Sequence, residues 1–135
     1  MKIYRPMIAD NEKPRLGENA RTLGVRVPKD ITPDGDGDVH PNTGGMSVRP
    51  NPKDIPLEFV PKRLRTTFLG AVGPDSNVIF SFGDGPFVAG PLAPHLVLRP
   101  DKPRHGNVEP AVLTSLGAFR AAIAATREDW SRDEP

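Results

Sequence analysis

Residues 111–134 read AVLTSLGAFRAAIAATREDWSRDE and form the one long stretch of the chain that contains no proline. Five apolar side chains and one threonine recur there every three or four residues, which is the spacing of one helical face; they are Leu113, Leu116, Phe119, Ile123, Thr126 and Trp130. Alanines fill much of the rest, and Pro110 suits a first helical turn. The segment predicts a C-terminal helix that covers a core, with a helix that docks onto a partner as the alternative.

The composition of the other residues argues against more helices. The chain has 135 residues, of which 17 are proline and 13 are glycine. Proline inside a helix removes a backbone donor and costs about 3 kcal/mol. A helical bundle is therefore excluded, and a loop-rich β or α+β domain is expected. The length fits a single domain over residues 1–135.

Several functional classes are excluded by what the chain lacks. There is no cysteine, so disulfides, thiolate metal sites and thiol nucleophiles are absent. No apolar run reaches the roughly 18 residues of a membrane span, and the first residues lack the apolar region of a secretory signal. The formal net charge of +1 provides no strong long-range attraction to nucleic acid or anionic lipid.

Short apolar runs bounded by breakers predict the strands. The predicted strands are residues 2–9, 22–27, 67–72, 77–82 and 95–99. Residues 68–72 and 77–82 are further predicted to pair as a β-hairpin across the turn at 73–76. The polar, proline-rich stretch over residues 28–56 is too broken for regular structure and is predicted to be a long loop.

Two sets of polar residues include side chains of the kinds that bind metals. Residues 34–38 read DGDGD and resemble the start of a calcium loop, but Val39 and Gly45 stand where such a loop needs glycine and glutamate. These residues are interpreted as an acidic turn, with an adventitious cation site as the alternative. The three histidines lack the spacing of a zinc pair, and no metal site is predicted. His95 opens an apolar run, which leaves a structural role and a role in a cleft both open.

Two basic clusters and one glycine pair have more than one interpretation. Lys62, Arg63 and Arg65 form one cluster, and a second comprises Arg99, Lys102, Arg104 and His105. Each is either a solvated face or a set of phosphate contacts. The stretch 41–48, PNTGGMSV, is either an ordinary turn or a loop whose glycines let the backbone approach a ligand.

In their order along the chain, these motifs resemble one family. Tyr4-Arg5 in a first strand is followed by residues 26–31, RVPKDI, and then by the acidic turn and PNTGGMSV. The stretch 95–100, HLVLRP, and the closing helix complete the order. The chain resembles the small type VI secretion effector toxins with an ADP-ribosyltransferase-like fold. That fold implies two small, mostly antiparallel sheets with long Pro/Gly-rich loops and a C-terminal helix.

The resemblance implies a site of eight residues that uses NAD as substrate. Arg5 matches the first-strand arginine that contacts NAD, and Ser47 matches the hydroxyl residue after the glycine pair. Glu109 is the candidate for the catalytic carboxylate, because it follows the His95 strand and precedes the last helix. The implied catalytic residues are Ser47, His95 and Glu109. The implied NAD-binding residues are Arg5, Arg26, Thr43, Gly44 and Gly45.

The function that the resemblance implies is that of a toxin. It would transfer ADP-ribose from NAD to an intracellular macromolecule, act in the cytoplasm of a target cell after delivery by a secretion system, and be neutralised by a cognate immunity protein. A toxin that binds its target, or NAD, without chemistry is the first alternative. A nucleic-acid-binding module that uses Lys62, Arg63 and Arg65 is the second.

Overall fold

A computed structural model describes residues 1–135 and contains ten short strands and one α-helix. The strands are β1 (Ile3–Asp10), β2 (Lys13–Pro14), β3 (Asp38–Val39), β4 (Met46–Val48), β5 (Asn77–Phe82), β6 (Gly90–Ala93), β7 (Leu96–Lys102), β8 (His105–Pro110), β9 (Thr114–Ser115) and β10 (Ser131–Arg132). The helix, α1, is Leu116–Ala124. The strands form two four-stranded antiparallel sheets and one two-stranded ribbon, so the predicted α+β class with mostly antiparallel sheets is confirmed.

The first sheet has the strand order β10-β5-β1-β2. Strand β1, predicted at residues 2–9, pairs along its length with β5, from Ile3 opposite Phe82 to Ile8 opposite Asn77. Alternate residues of β1 point to the core, as a half-buried strand requires. Arg5 stands in this buried row between Ile3 and Met7, where an apolar residue is usual.

The second sheet has the order β4-β8-β7-β6 and holds Ser47 in its edge strand. Ser47 lies opposite Asn107 of β8, which lies opposite Arg99 of β7. Residue Arg49, just after β4, exchanges two backbone hydrogen bonds of 2.8 and 3.0 Å with Tyr4 of β1. This bridge joins the two sheets and brings Arg5 next to Ser47.

Two apolar clusters stabilise this arrangement. Sixteen buried residues from both sheets, the connecting loops and the end of the chain form the main core, in which Trp130, Phe80 and Phe119 are the largest side chains. A second cluster of five lies beneath the segment between β4 and β5 and consists of Ile55, Val60, Phe68, Ala71 and Ile79. The proline-rich loops are thus anchored by apolar side chains.

The helix is shorter than predicted. Thr114 and Ser115 remain extended because they pair with β3, and the Ser115 hydroxyl then caps α1 by accepting from the Ala118 amide at 3.0 Å. Beyond α1, Ser131 and Arg132 pair with β5. Tertiary pairing at both ends therefore overrides helix propensity.

The predicted buried face is nevertheless largely confirmed. Phe119, Ile123, Thr126 and Trp130 are all buried, whereas Leu113 is 53% exposed. The Trp130 indole donates to the Thr126 hydroxyl at 3.0 Å, so the face continues past the end of the helix.

The predicted hairpin at 68–82 is wrong. Residues 67–72 form consecutive turns, in which the Phe68 amide donates to the Leu64 carbonyl and the Ala71 amide to the Phe68 carbonyl. Phe68 and Ala71 pack into the second cluster, while β5 pairs with β1 instead. Residues 22–27 also form no strand, since only Leu23 makes a single bridge, with Leu16. Local alternation could not distinguish these turns from strands.

Other predictions concern the loops and the membrane. The acidic turn is confirmed, because the Asp34 carboxylate accepts from the Asp36 and Asp38 amides at 2.8 and 3.1 Å and contacts the His40 ring at 2.7 Å. Strand β7 confirms the predicted strand at 95–99, although β6 and β8 beside it were not predicted. The protein has no helix with the length and the apolar character that a membrane span requires.

Candidate functional site

A cavity of about 360 Å³ opens where β1 meets β4, at the bridge between the two sheets. Its walls come from β1, the segment around 20–29, the end of β4 and the turns at 55–59. It is lined by Tyr4, Arg5, Pro6, Ala20, Arg26, Lys29, Ser47, Arg49, Ile55, Pro56, Glu58 and Phe59. Four of these side chains are basic and one is acidic, so the cavity favours an anion.

Arg5 is the buried cation of this cavity and is only 5% exposed. Its guanidinium donates to the Thr22 carbonyl at 2.9 and 3.1 Å, to the Ser47 carbonyl at 2.9 Å and to the Asn19 carbonyl at 3.4 Å. A guanidinium has five N–H donors, so one N–H of Nη1 is left over. Arg5 thus ties β1 to β4 and keeps a donor beside the cavity.

The charge of Arg5 has no carboxylate partner within ion-pair distance. Burial lowers its pKa to about 10, and the charge of Asp30 opposes this only in part. Asp30 is itself paired with Arg26, whose pKa is raised by the resulting hydrogen bonds of 2.9 and 3.1 Å. A bound anion would therefore offset the part of the cost of burying this charge that Asp30 does not offset.

Two further cations stand at the cavity without a carboxylate. Lys29 forms no ion pair, and the guanidinium of Arg49 makes only a long hydrogen bond of 3.4 Å to the Arg104 carbonyl. Glu58, which is exposed, is the one carboxylate that lines the cavity and forms no ion pair. The net charge of the lining remains positive even after the Arg26–Asp30 pair is discounted.

The Ser47 hydroxyl is the first of three polar side chains that contact one another in series. Its Oγ lies 3.2 Å from Nε2 of His105, and Nδ1 of His105 lies 2.5 Å from Oδ1 of Asp101. The His105 side chain is 17% exposed and that of Asp101 is 39% exposed. Asp101 and His105 face each other across the β7–β8 turn, which places the imidazole over the neighbouring strand β4.

The ionisation state of Asp101 is consistent with its place in this series of three side chains. Burial alone would raise the pKa of Asp101, but the hydrogen bond and charge of His105 outweigh burial and hold that pKa below its usual range. The carboxylate is therefore ionised near neutral pH and accepts a hydrogen bond from Nδ1. When the imidazole is neutral and its proton is on Nδ1, Nε2 can accept the proton of the Ser47 hydroxyl.

Of the eight residues implied by the resemblance, the structure brings three to the cavity: Arg5, Arg26 and Ser47. Arg5 and Ser47 are in direct contact through the Ser47 carbonyl. Arg26 is held by Asp30 in a bidentate pair, so it is less available to a ligand than Lys29 or Arg49.

The glycine pair and Thr43 do not line the cavity. The Thr43 hydroxyl donates to the His40 carbonyl at 2.7 Å within a tight turn. A Cβ on Gly44 would overlap the Asp30 carbonyl, and a Cβ on Gly45 would overlap the Val108 carbonyl. These glycines let three backbone segments pack closely, and the space beside them is filled by protein.

His95 lies away from Ser47. It occupies the turn before β7, is exposed, and has a positive φ of 68°. Arg99 is the β7 residue that lies in register with Asn107 and Ser47. His95 is four positions before Arg99, and four positions correspond to about 13 Å along a strand. The histidine that contacts Ser47 is His105 instead.

Glu109 also has a position different from the one expected of a catalytic carboxylate. It is 2% exposed, and its Oε1 accepts from the Asn42 amide at 2.7 Å and from the Arg99 guanidinium at 3.0 Å. It does not line the cavity. Glu109 thereby connects the loop of residues 41–45, called the glycine loop, to the second sheet.

Sequence reasoning missed Asp101, Arg49, Lys29 and Glu58, and placed His105 only in a basic cluster. The sequence offers one signal for Asp101 and His105: the two residues are four positions apart on either side of Pro103, which is a spacing typical of a turn. Nothing local indicated that this turn lies beside Ser47, since the contact spans 58 residues. In the other basic cluster, Arg63 is bound to the Glu134 carboxylate.

Comparison with known proteins adds no assignment. No protein-family model matches the chain, and no curated protein matches its sequence.

Proposed function

We propose that this chain is a toxin of the NAD-dependent mono-ADP-ribosyltransferase type, which modifies an intracellular target and arrests growth. The observation that carries the proposal is the buried Arg5 guanidinium, which has no carboxylate partner and stands beside Ser47 at a cationic cavity. NAD is a substrate with a doubly charged pyrophosphate, and arginine is the side chain best suited to bind such a group.

The cavity suits one end of a dinucleotide. Its volume of about 360 Å³ lies near the lower limit of small-molecule pockets, which run from about 300 to 1,000 Å³. Arg5, Lys29 and Arg49 supply positive charge for the pyrophosphate. The rings of Tyr4 and Phe59 supply flat apolar surface for the nicotinamide. The adenosine end would extend outside.

The chemistry requires a group that stabilises positive charge. Cleavage of the bond between nicotinamide and ribose builds cationic character on the ribose, and a carboxylate stabilises it. Glu58 takes this role in the proposal because it is the carboxylate that lines the cavity. Ser47 orients the ribose, and His105 is the base that accepts the proton of the incoming acceptor group.

The test of this proposal is transfer of a label from NAD. Purified protein is incubated with biotin-labelled NAD and a cell extract, and labelled proteins are detected on a blot. We expect one or a few labelled bands with the wild type, and loss of these bands with Ser47→Ala and Glu58→Gln. Ser131→Ala is the matched control, because the Ser131 side chain is exposed and makes no hydrogen bond. Absence of any NAD binding by calorimetry would refute the proposal.

A cognate immunity protein is the expected partner of such a toxin. Because the lining of the cavity is positive, we propose that this partner presents an acidic surface that covers the site. Co-expression of such a partner should restore growth and should protect Lys29 from amine-reactive labelling.

A toxin that acts by binding alone is the second candidate, and the placement of Glu109 favours it. That carboxylate serves the fold through Arg99 and Asn42, so no buried carboxylate faces the cavity. Growth arrest that persists in the Ser47→Ala, Glu58→Gln double variant would favour binding over catalysis.

A further inference from the structure

We propose that Ser47 is a nucleophile, activated by His105 and oriented through Asp101, and that this site cleaves esters whose acyl group carries a negative charge. The proposal goes beyond ADP-ribosyl transfer and does not depend on the use of NAD. It rests on the contacts that connect Ser47, His105 and Asp101 in series, and on the position of Ser47, the member of this series that lines the cationic cavity.

The geometry meets the requirements for an activated serine. The Oγ–Nε2 distance of 3.2 Å and the Nδ1–Oδ1 distance of 2.5 Å connect hydroxyl, imidazole and carboxylate in that order. Such a constellation is recognised by geometry and roles, whatever fold carries it. Asp101 is a positioning residue, which holds the imidazole in the tautomer that leaves Nε2 unprotonated.

The backbone around Ser47 is held rigidly. Strand β4 pairs with β8 on one side, and the Ser47 carbonyl accepts from Arg5 on the other. The hydroxyl itself has one protein partner, His105. A nucleophile on a fixed strand with a single basic partner keeps the alignment that attack requires.

Ester cleavage at this site proceeds through an acyl-serine. Ser47 Oγ attacks the ester carbonyl carbon while Nε2 of His105 takes the hydroxyl proton. The carbon–oxygen bond to the leaving alcohol then breaks, and the alcohol departs with the proton from His105. Water attacks the acyl-serine, gives its proton to His105, and releases the acid as Ser47 recovers its proton.

The cavity defines the substrate class. Arg5 keeps one free N–H on Nη1 next to the Ser47 carbonyl, and Lys29 and Arg49 stand on the same lining without a carboxylate partner. An acyl group that ends in a carboxylate or phosphate would place its charge on these cations. The leaving alcohol would face the open side.

The test uses the intact protein and no NAD. A fluorophosphonate probe is added, and the modified residue is identified by mass spectrometry. We expect a covalent adduct on Ser47 that forms about 100-fold more slowly in His105→Gln, the scale on which a general base acts. Ser131→Ala should react at the wild-type rate, and Ser47→Ala should form no adduct. Circular dichroism establishes that each variant is folded.

Substrate preference and the role of Asp101 are tested separately. Mono-p-nitrophenyl succinate should be hydrolysed with a kcat/KM at least about tenfold above that of p-nitrophenyl acetate, the factor that one charge-assisted hydrogen bond supplies. Nitrogen-15 NMR should show the Nδ1-protonated tautomer of His105 in the wild type and its loss in Asp101→Ala. No adduct on Ser47 in the folded wild type, or equal rates in wild type and His105→Gln, would overturn the proposal. Labelling of Ser47 without NAD turnover would refute only the proposed function.

Discussion

Replacing Arg5 by methionine should cost the protein stability, although the change removes a buried charge. Three well-formed hydrogen bonds join the guanidinium to the Thr22 and Ser47 carbonyls, and each such charge-assisted bond contributes about 1.5–3 kcal/mol. The lowered pKa of about 10 corresponds to an opposing cost of about 3 kcal/mol for keeping the charge buried. We therefore expect a net loss of about 3 kcal/mol in the free energy of unfolding.

The assay is urea unfolding followed by tryptophan fluorescence. Trp130 is the single tryptophan and is 1% exposed, so its emission reports the core. A loss of about 3 kcal/mol lowers the melting temperature of a chain of this size by about 10 °C. Arg15→Met is the matched control, because the Arg15 side chain is exposed and makes no hydrogen bond. A loss below about 1 kcal/mol, or one equal to that of the control, would refute the structural role of Arg5.

Three further predictions concern the core, the glycine loop and the C-terminal segment. Trp130→Ala should lose about 3–5 kcal/mol in chemical unfolding followed by circular dichroism, since a fully buried aromatic side chain is removed. Gly45→Ala should lose at least about 2 kcal/mol because the added methyl overlaps the Val108 carbonyl, whereas Gly35→Ala, which meets open space, should stay within about 0.5 kcal/mol of the wild type. Burial would raise the pKa of Glu134, but hydrogen bonds from two arginines and a backbone amide hold that pKa below the ordinary 4.5. The contribution of Glu134 to the free energy of unfolding is therefore fully present above pH 4.5, and it is lost as the pH falls through the lower pKa of the folded protein. Urea titrations from neutral to acidic pH should therefore show a smaller pH dependence for Glu134→Gln, and an unchanged dependence would contradict the assignment.

The parts of the fold that sequence predicted are those with strong local signals. The alternation of β1 and the apolar run of β5 identified the central pair of the first sheet, and the spacing of Phe119, Ile123 and Trp130 identified a buried face. The ends of the helix were missed because they depend on pairing with β3 and β5, which lie far away in sequence. The turns at 67–72 were missed because apolar residues in an anchored loop have the same pattern as a short strand.

The candidate site was predictable only in part for a similar reason. Arg5 and Ser47 could be singled out from the sequence, but their contact spans 42 residues and depends on the bridge between the two sheets. The sequence indicates His95 as a candidate because this residue opens an apolar run. His105, within a polar turn, reaches Ser47 only because β8 lies between β4 and β7. Residue types indicated chemistry, while the strand order determined which residues meet.

Under the proposed function, the cationic cavity, the buried arginine and the serine–histidine contact together form one site that cleaves NAD. The most direct test of this function is the release of free nicotinamide from NAD by the purified protein, followed by proton NMR. We predict release by the wild type, loss of release in His105→Ala, and retention in His95→Ala, because only His105 contacts Ser47. Release that requires His95 and not His105, or no release by the wild type at any NAD concentration, would contradict the proposed function.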